Sequence, residues 1–382
     1  MSAIPRTVYE EEHELFRSSV RKFLEVEAAP YHAQWEKDGQ VDRALWIKAG
    51  EQGFLSPSVT EEYGGVGVDF RYNAIVDEEC GRSGFTGIGW GLHSDIAVPY
   101  IERYGSEEQK QKYLPKCVTG EIVMAIAMTE PGAGSDLQGI KTTAVKDGDD
   151  YIINGSKTFI TNGQHADLVI VVAKTDPSAG AKGTSLFLME AGTPGFSKGQ
   201  NLEKIGLKAQ DTSELFFQDV RLSKDQLLGE EGMGFIYLMQ DLPQERLNVA
   251  IIAIANAEAI LEQTIAYVKE RKAFGKTVAT FQNTQFKLAE METEVSVARV
   301  FLDRCLELHL EEKFDSVMAA KAKLMTTDLQ CKVIDECLQL HGGYGYMWEY
   351  PVARAFADSR VQRIYAGTNE VMKLIIGRDL LK

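Results

Sequence analysis

The sequence predicts an α+β fold in three successive parts: a helical domain at residues 1–121, a compact all-β module at 122–231 and a helical bundle at 232–382. Three observations predict it. Apolar residues in the first third recur at helical spacing. The middle is a series of short β-rich runs punctuated by Asp-Gly and Asn-Gly. After Gly232 the chain returns to long stretches with few helix breakers. With 382 residues there is length for about two or three domains and a large core.

In the first part, Phe16, Val20, Phe23 and Leu24 form one apolar stripe, and Ser106-Glu107-Glu108-Gln109 has the pattern of a capping box opening another helix. Gly-rich turns such as Tyr63-Gly64-Gly65-Val66-Gly67 lie between. In the middle part the β-rich runs are 140–145, 151–153, 168–173, 185–189 and 215–217. Asp147-Gly148, Asn154-Gly155 and Asn162-Gly163 supply turn chemistry, and no helix of any length fits inside. In the last part, 250–268, 286–310 and 314–340 read as long helices, which an antiparallel bundle buries economically.

Composition excludes several classes of function. The net charge of -15 is the wrong sign for a nucleic-acid or anionic-membrane surface. The stretch 1–21 alternates charged and apolar residues, so no signal peptide is expected, and no uninterrupted apolar run suggests membrane insertion. Five cysteines, none in a Cys-x-x-Cys pair, read as reduced thiols in a cytoplasmic protein, and no cluster has metal-ligand spacing.

The β module opens with Ala127-Met128-Thr129-Glu130-Pro131-Gly132-Ala133-Gly134-Ser135-Asp136. No βαβ unit surrounds it, so it is not a Rossmann fingerprint. It is followed by Asn154-Gly155-Ser156-Lys157, Phe159-Ile160-Thr161-Asn162-Gly163, Arg271-Lys272-Ala273-Phe274-Gly275-Lys276, Gln339-Leu340-His341-Gly342-Gly343-Tyr344-Gly345 and Ile364-Tyr365-Ala366-Gly367-Thr368-Asn369-Glu370. In this order the motifs resemble those of the acyl-CoA dehydrogenase family over essentially the whole chain. The resemblance implies a central β-barrel-like domain and a C-terminal four-helix bundle. It also implies FAD as cofactor, an acyl-CoA substrate, electron-transfer flavoprotein as electron acceptor and a homotetramer built as a dimer of dimers.

Carried over residue by residue, the resemblance assigns the flavin ring to Ile126, Met128, Thr129, Phe159 and Thr161, groups that tune the ring's electron affinity. Phe159 departs from the tryptophan common in relatives but still offers an apolar wall. Arg271 would meet the pyrophosphate. Phe274 and Gln282 would line the adenosine side, and Gln339, Gly342 and Gly343 would come from the other subunit. Thr368 and Glu370 fall where relatives contact FAD. On the substrate side, Ser135, which the resemblance also places among the cofactor contacts, would contact the pantetheine, Lys182 and Gly183 the CoA adenine end, and Arg246 the CoA entrance. Tyr237 and Tyr365 would line the acyl pocket, with Pro243 and Gly367 beside the reacting group. His341 reads as structural, since no nucleophile pairs with it.

The implied reaction is α,β-dehydrogenation of an acyl-CoA thioester: a base takes the α-proton while a hydride leaves the β-carbon for the flavin. Most of the family places its base where Ala366 stands, and alanine cannot take a proton. Its backbone N–H, the family's oxyanion donor at this position, is retained. A Glu just after Pro243 is ordinarily helix-start chemistry. The long-chain and isovaleryl types, however, carry their base at the position Glu245 matches, opposite a non-acidic residue at 366. Glu245 is therefore the candidate base, and desolvation should raise its pKa toward working pH. The motifs look closer to the long-chain type. An isovaleryl-type or other branched-chain enzyme is the alternative, followed by an acyl-CoA oxidase. From a different class, some relatives bind nucleic acid, but with a basic surface that this chain lacks.

Overall fold

A computed structural model describes residues 4–85 and 87–382; the first three residues of the stretch read for a signal peptide lie outside them. The N-terminal part is helical: α1 (Glu11–Glu27), α2 (His32–Asp38), α3 (Arg43–Glu51), α4 (Phe70–Ser83), α5 (Val98–Tyr104) and α6 (Glu107–Val118). A π-helical turn, Leu92–Ala97, runs directly into α5. The capping box forms as the sequence predicts. The Ser106 hydroxyl accepts from the Gln109 N–H at 3.2 Å, and the Gln109 side chain accepts from the Ser106 N–H at 3.0 Å. Gln109 then donates to the carbonyls of Asp225 and Leu227, so the same cap ties α6 to the β module.

The middle part is one sheet of β1 (Met124–Ala127), β2 (Thr143–Asp147), β3 (Asp150–Thr161), β4 (Leu168–Lys174), β5 (Thr184–Glu190), β6 (Phe196–Asn201), β7 (Thr212–Leu222) and β8 (Leu227–Leu228). The order is β6-β7-β3-β2-β4-β5-β8, with β1 parallel to β4. Every residue of β4 is buried, because each of its faces meets a different core. Leu168, Ile170 and Val172 pack with Tyr100, Ile101 and Leu114 from the helical domain. Val169, Val171 and Ala173 pack with Tyr151, Phe187, Leu215 and Phe217, where the sheet curls over its own other half. Period-two side chains on a continuous apolar run give a strand with two buried faces.

Three strands of this sheet were not expected from sequence, and each has a physical reason. β1 is Met-Ala-Ile-Ala, short and poor in β-branched residues; its parallel partner β4 holds it. β6 carries Gly199 and lies at the edge, and β8 has only two residues. Conversely, Ile140 and Lys141 precede β2 rather than belonging to it.

The C-terminal part holds α7 (Gly234–Glu270), a small hairpin of β9 (Lys272–Ala273) and β10 (Lys276–Thr277), then α8 (Gln282–Leu310), α9 (Ser316–His341), α10 (Pro351–Ser359) and α11 (Asn369–Leu380). The first long helix starts at Gly234 and passes through Pro243, which corrects the sequence expectation that Pro243 opens a helix. Proline in a helix interior leaves the carbonyl four residues back without its donor. That residue is Met239, which is exposed to solvent. By length and composition α7 could cross a bilayer, but most of its apolar window is buried inside the protein. Leu247, Ala250, Ile251 and Ile254 of α7 pack with Phe70 and Ala74 of α4 and with residues of α8 and α9.

Candidate active site

Because Pro243 does not start the helix, Glu245 is not a helix-start acid. It sits well inside α7, 4% exposed, where the helix passes beneath α5. The Tyr100 hydroxyl of α5 donates to Glu245 Oε1 at 2.9 Å. Burial raises the Glu245 carboxyl to about 7, while Tyr100, Arg246 and Arg103 pull the other way. The rise expected from desolvation is therefore present in the protein alone. Arg103 is spoken for: its guanidinium pairs with Asp241 and donates to Gln244 Oε1 at 2.8 Å.

Arg246 is buried next to Glu245 and donates from Nε to the Ala366 carbonyl at 3.3 Å. Among the described residues it has no ion pair. Lys323, wholly buried in α9, donates to the Gly367 carbonyl at 2.8 Å and to Asn369 Oδ1 at 2.9 Å. Two cations thus hold two consecutive carbonyls of the Tyr365–Thr368 turn. Ala366 has φ 52, in the left-handed region that β-carbon-bearing residues avoid. Its N–H has no acceptor among the described residues. The turn is fixed through its carbonyls and leaves that donor available. Glu245, Arg246, Ala366 and Gly367 are brought together, although residues 246 and 366 lie 120 apart in the chain.

Behind this corner lies a buried carboxyl pair that sequence reading missed. Asn248 Nδ2 donates to Asp77 Oδ2 at 2.6 Å and to Asp95 Oδ2 at 3.1 Å, and Asn73 Nδ2 donates to Asp95 Oδ1 at 2.5 Å. Burial raises both carboxyls, so the pair retains a proton where isolated aspartates would not. Gln244 Nε2 donates to the Asp95 carbonyl at 2.7 Å, which ties the π-helical turn to α7 on either side of Glu245.

On the β module, the two glycine-bearing motifs are joined by a buried ion pair. Lys157 Nζ donates to Glu130 Oε1 at 2.8 Å and to the Met128 carbonyl at 3.0 Å, and Glu130 accepts the backbone N–H of Lys141 and Thr142. The Thr158 N–H donates to the Thr129 carbonyl at 2.9 Å, so that both motifs share one rigid seam. Strand β3 then shifts register between Lys157 and Ile160. Phe159 falls in that shift with φ 59 and is 66% exposed. A bulge that turns an aromatic ring outward at the cost of backbone strain suits a wall for a flat ligand. Gly155 also has a positive φ, and a methyl group there would run into Thr142. Ile126 is buried, Met128, Thr129 and Thr161 are half-buried, and Ser135 is exposed on the following turn. A methyl group placed on Gly132 or Gly134 would meet nothing within 4 Å, so the turn has open space before it.

A separate open cleft of about 510 Å³ is lined by Tyr267, Arg271, Gln339, Gly342, Gly343 and Tyr344. The Tyr267 and His341 rings stack at 4.2 Å, and Arg271 lies over the Tyr344 ring at 5.3 Å. His341 is buried in this stack, as its structural reading expects. Gly342 and Gly343 face open space. Arg271 and Gln339–Gly343 line one and the same cleft of this chain. Phe274, on the hairpin beside the cleft, has φ 51 and is 95% exposed; Gln282 is exposed at the start of α8. The cation, the glycines and the exposed strained rings fit a flavin dinucleotide.

The remaining residues are less telling. Tyr237 stacks on Tyr104 at 4.0 Å within the core between α5 and the sheet. Lys182 is exposed, and Gly183 is buried because its carbonyl receives Thr175 and Asp176. Thr368 caps α11, accepting from the Val371 N–H at 3.3 Å, and Glu370 is an exposed acid in the first turn of that helix. Tyr365 donates to Gln362 Oε1 at 2.8 Å.

The helical–β–helical order and the buried Glu245 carboxyl fit an oxidoreductase of the acyl-CoA dehydrogenase kind, and comparison with known proteins bears this out. Family models describe its three parts: the acyl-CoA dehydrogenase N-terminal domain matches residues 10–121, the middle domain 125–220 and the C-terminal domain 232–381. The chain belongs to the acyl-CoA dehydrogenase family. It is 56% identical to the long-chain specific acyl-CoA dehydrogenase, mitochondrial, of Sus scrofa, over 98% of this chain and 88% of that protein. It superposes on the crystal structure of an acyl-CoA dehydrogenase from Geobacillus kaustophilus with a TM-score of 0.97 and 56% identity, covering 98% and 100% of the two chains. A glutaryl-CoA dehydrogenase from Mycobacterium smegmatis, solved in complex with FADH2, matches with a TM-score of 0.91 and 30% identity, covering 98% of this chain and 95% of that one.

Proposed function

We propose that this enzyme carries out FAD-dependent α,β-dehydrogenation of a long-chain acyl-CoA to the trans-2-enoyl-CoA, with Glu245 as base, and delivers the electrons to electron-transfer flavoprotein. The observation that carries this reading is the Glu245 carboxyl, buried and raised to about 7 beside the Ala366 turn. The long-chain preference is supported by the 56% identity to the Sus scrofa protein.

Ile126, Met128, Thr129, Phe159 and Thr161 would hold the flavin ring and Arg271, Phe274, Gln282, Gln339, Gly342 and Gly343 the dinucleotide tail, where FAD would supply the acceptor for the hydride leaving the β-carbon. The chain's own residues do the rest. Glu245 takes the α-proton on the carboxylate oxygen that Tyr100 does not engage. The Ala366 N–H stabilises the charge that develops on the thioester oxygen. Arg246, through the Ala366 carbonyl, keeps that donor in place. Burial excludes water from the carboxyl and keeps it basic enough to accept a proton near neutral pH.

In Glu245→Gln, acyl-CoA-dependent bleaching of the flavin should slow by about 10²–10⁴-fold, with FAD absorbance and acyl-CoA binding retained; bleaching at the wild-type rate would remove Glu245 from the role. A rate profile across straight and branched acyl chains separates the long-chain reading from an isovaleryl-type one, and full turnover with oxygen alone would indicate an oxidase. The proposal includes a homotetramer, checked by sedimentation, and a cytoplasmic location, supported by five unpaired cysteines.

A further inference from the structure

We infer that Tyr100 is a positioning residue for the base: its hydroxyl fixes one oxygen of the Glu245 carboxylate and sets the pH at which that carboxylate becomes able to take a proton. This rests on the reading of Glu245 as base. The geometry comes from α5 and the turn before it. A π-helical turn holds one residue more than an α turn, which changes the face that the residues after it present. With Pro99 in the first turn of α5, Tyr100 points inward against α7. Its ring is fully buried among Ile101, Leu114, Val98 and Leu238, and its hydroxyl reaches Glu245 Oε1 at 2.9 Å.

A wholly buried phenol with a carboxylate as its acceptor has little freedom. The ring is held by packing, so the O–H has one direction to donate, and among the described residues no other side chain or backbone group donates to Glu245. Oε1 is occupied and Oε2 is left for the substrate proton. The charged groups that face the carboxyl are few. Arg246 follows it on α7 and is turned to the Ala366 carbonyl; Arg103 on α5 is engaged by Asp241 and Gln244. Among the described residues, the titratable groups that act on Tyr100 are Glu245, Tyr104 and Arg103. A donor to the ionised form favours that form, so the phenol offsets part of the penalty of burying the carboxylate. Without it, the base would stay protonated at neutral pH and turn over only in alkaline solution. Tyr100 therefore trades intrinsic basicity for availability at neutral pH.

The test is Tyr100→Phe in the holoenzyme. A hydrogen bond to a charged group is expected to be worth about one to two pKa units here. The acid limb of the pH profile for flavin reduction should move up by that amount. At pH 7 the rate should fall about 5- to 50-fold, and it should return to the wild-type plateau at alkaline pH with KM for acyl-CoA unchanged. A second readout needs no turnover. The infrared C=O band of the protonated carboxyl, recognised because Glu245→Gln lacks it, should titrate higher in Tyr100→Phe by the same shift. A fluorotyrosine placed at 100, a stronger donor of the same shape, should move both limb and band down, and it decides the matter if Tyr100→Phe folds poorly. An unshifted limb and band, in a protein whose Glu245→Gln variant is inactive, would overturn the role of Tyr100 alone. An active Glu245→Gln would instead overturn the assignment of the base.

Discussion

The Glu245 corner and the Arg271 cleft both draw on the long C-terminal helices, yet they are built in opposite ways. At Glu245 the ionisable groups are buried and matched: Tyr100 serves the carboxylate, Arg246 and Lys323 serve two carbonyls, and Asn248 bridges the carboxyl pair behind. At Arg271 the functional groups stand open, with Gly342 and Gly343 facing free space and Phe274 almost wholly exposed on a strained backbone. The corner is closed by groups of this chain, whereas the cleft is open. Chemistry that depends on a tuned pKa needs a dry, rigid surrounding, and binding of a long charged cofactor needs access.

The contrast predicts opposite losses. Glu245→Gln should remove turnover and spare the cofactor, the largest effect expected. Arg271→Met should do the reverse: FAD affinity should weaken about 10- to 100-fold, as for one charge-assisted hydrogen bond, while enzyme saturated with FAD is reduced by acyl-CoA at the wild-type rate. Equilibrium dialysis and stopped-flow absorbance measure the two. If Arg271→Met slowed reduction at saturating FAD, the regions would not be separable.

The pH dependence of stability sharpens the buried side of the comparison. Glu245, Asp77 and Asp95 have folded pKa values raised above those of unfolded carboxyls. Between about 4 and 7 the folded state therefore binds more protons than the unfolded one, and these groups cost stability as pH rises. His32, His93 and His309, pushed down to about 4 by burial, act in the opposite sense: stability they lose as pH falls is regained as it rises toward 6.5. The net slope is a competition, so the informative measurement is a difference. Asp95→Asn should gain on the wild type in urea denaturation as pH rises through this window, by up to about 1.4 kcal/mol per pH unit. A constant difference would mean that the pair does not hold a proton.

The smallest expected effect concerns the strained turn. Ala366→Gly relieves a left-handed alanine, worth about 1–2 kcal/mol, against about 0.4–1 kcal/mol for the freer unfolded chain. A net stabilisation of about 0.5 kcal/mol is expected. A marked loss in urea denaturation would show that the Ala366 methyl group is itself packed against its surroundings.

Much of the site was legible because its parts are local. Gly155, in the Asn-Gly before Lys157, and Gly342 take the positive φ that their residue type allows, and the glycines at 132, 134 and 343 leave open space in front of their turns. The proposed base was legible only as a substitution, with Ala366 lacking a carboxylate and Glu245 having one. The partners that make these residues work were not legible. Glu130 and Lys157 both stood in recognised motifs, yet nothing local pairs them. Tyr100 lies 145 residues from Glu245, in a stretch that reads simply as apolar. Asp77, Asp95 and Asn248 resemble ordinary surface polar residues until the fold buries them.

By itself the sequence determined the order of helical, β and helical parts, because period 3.6 and period 2 are properties of neighbours along the chain. It also determined the inventory of chemistry: a carboxylate at 245, none at 366, and glycines where a cofactor would approach. Only the tertiary structure decided that Pro243 lies inside a helix rather than at its start, and that a π-helical turn delivers Tyr100 to Glu245. A pKa, a hydrogen-bond partner and a free backbone donor depend on what lies within a few ångströms in space, and that proximity is created by packing rather than by order along the chain.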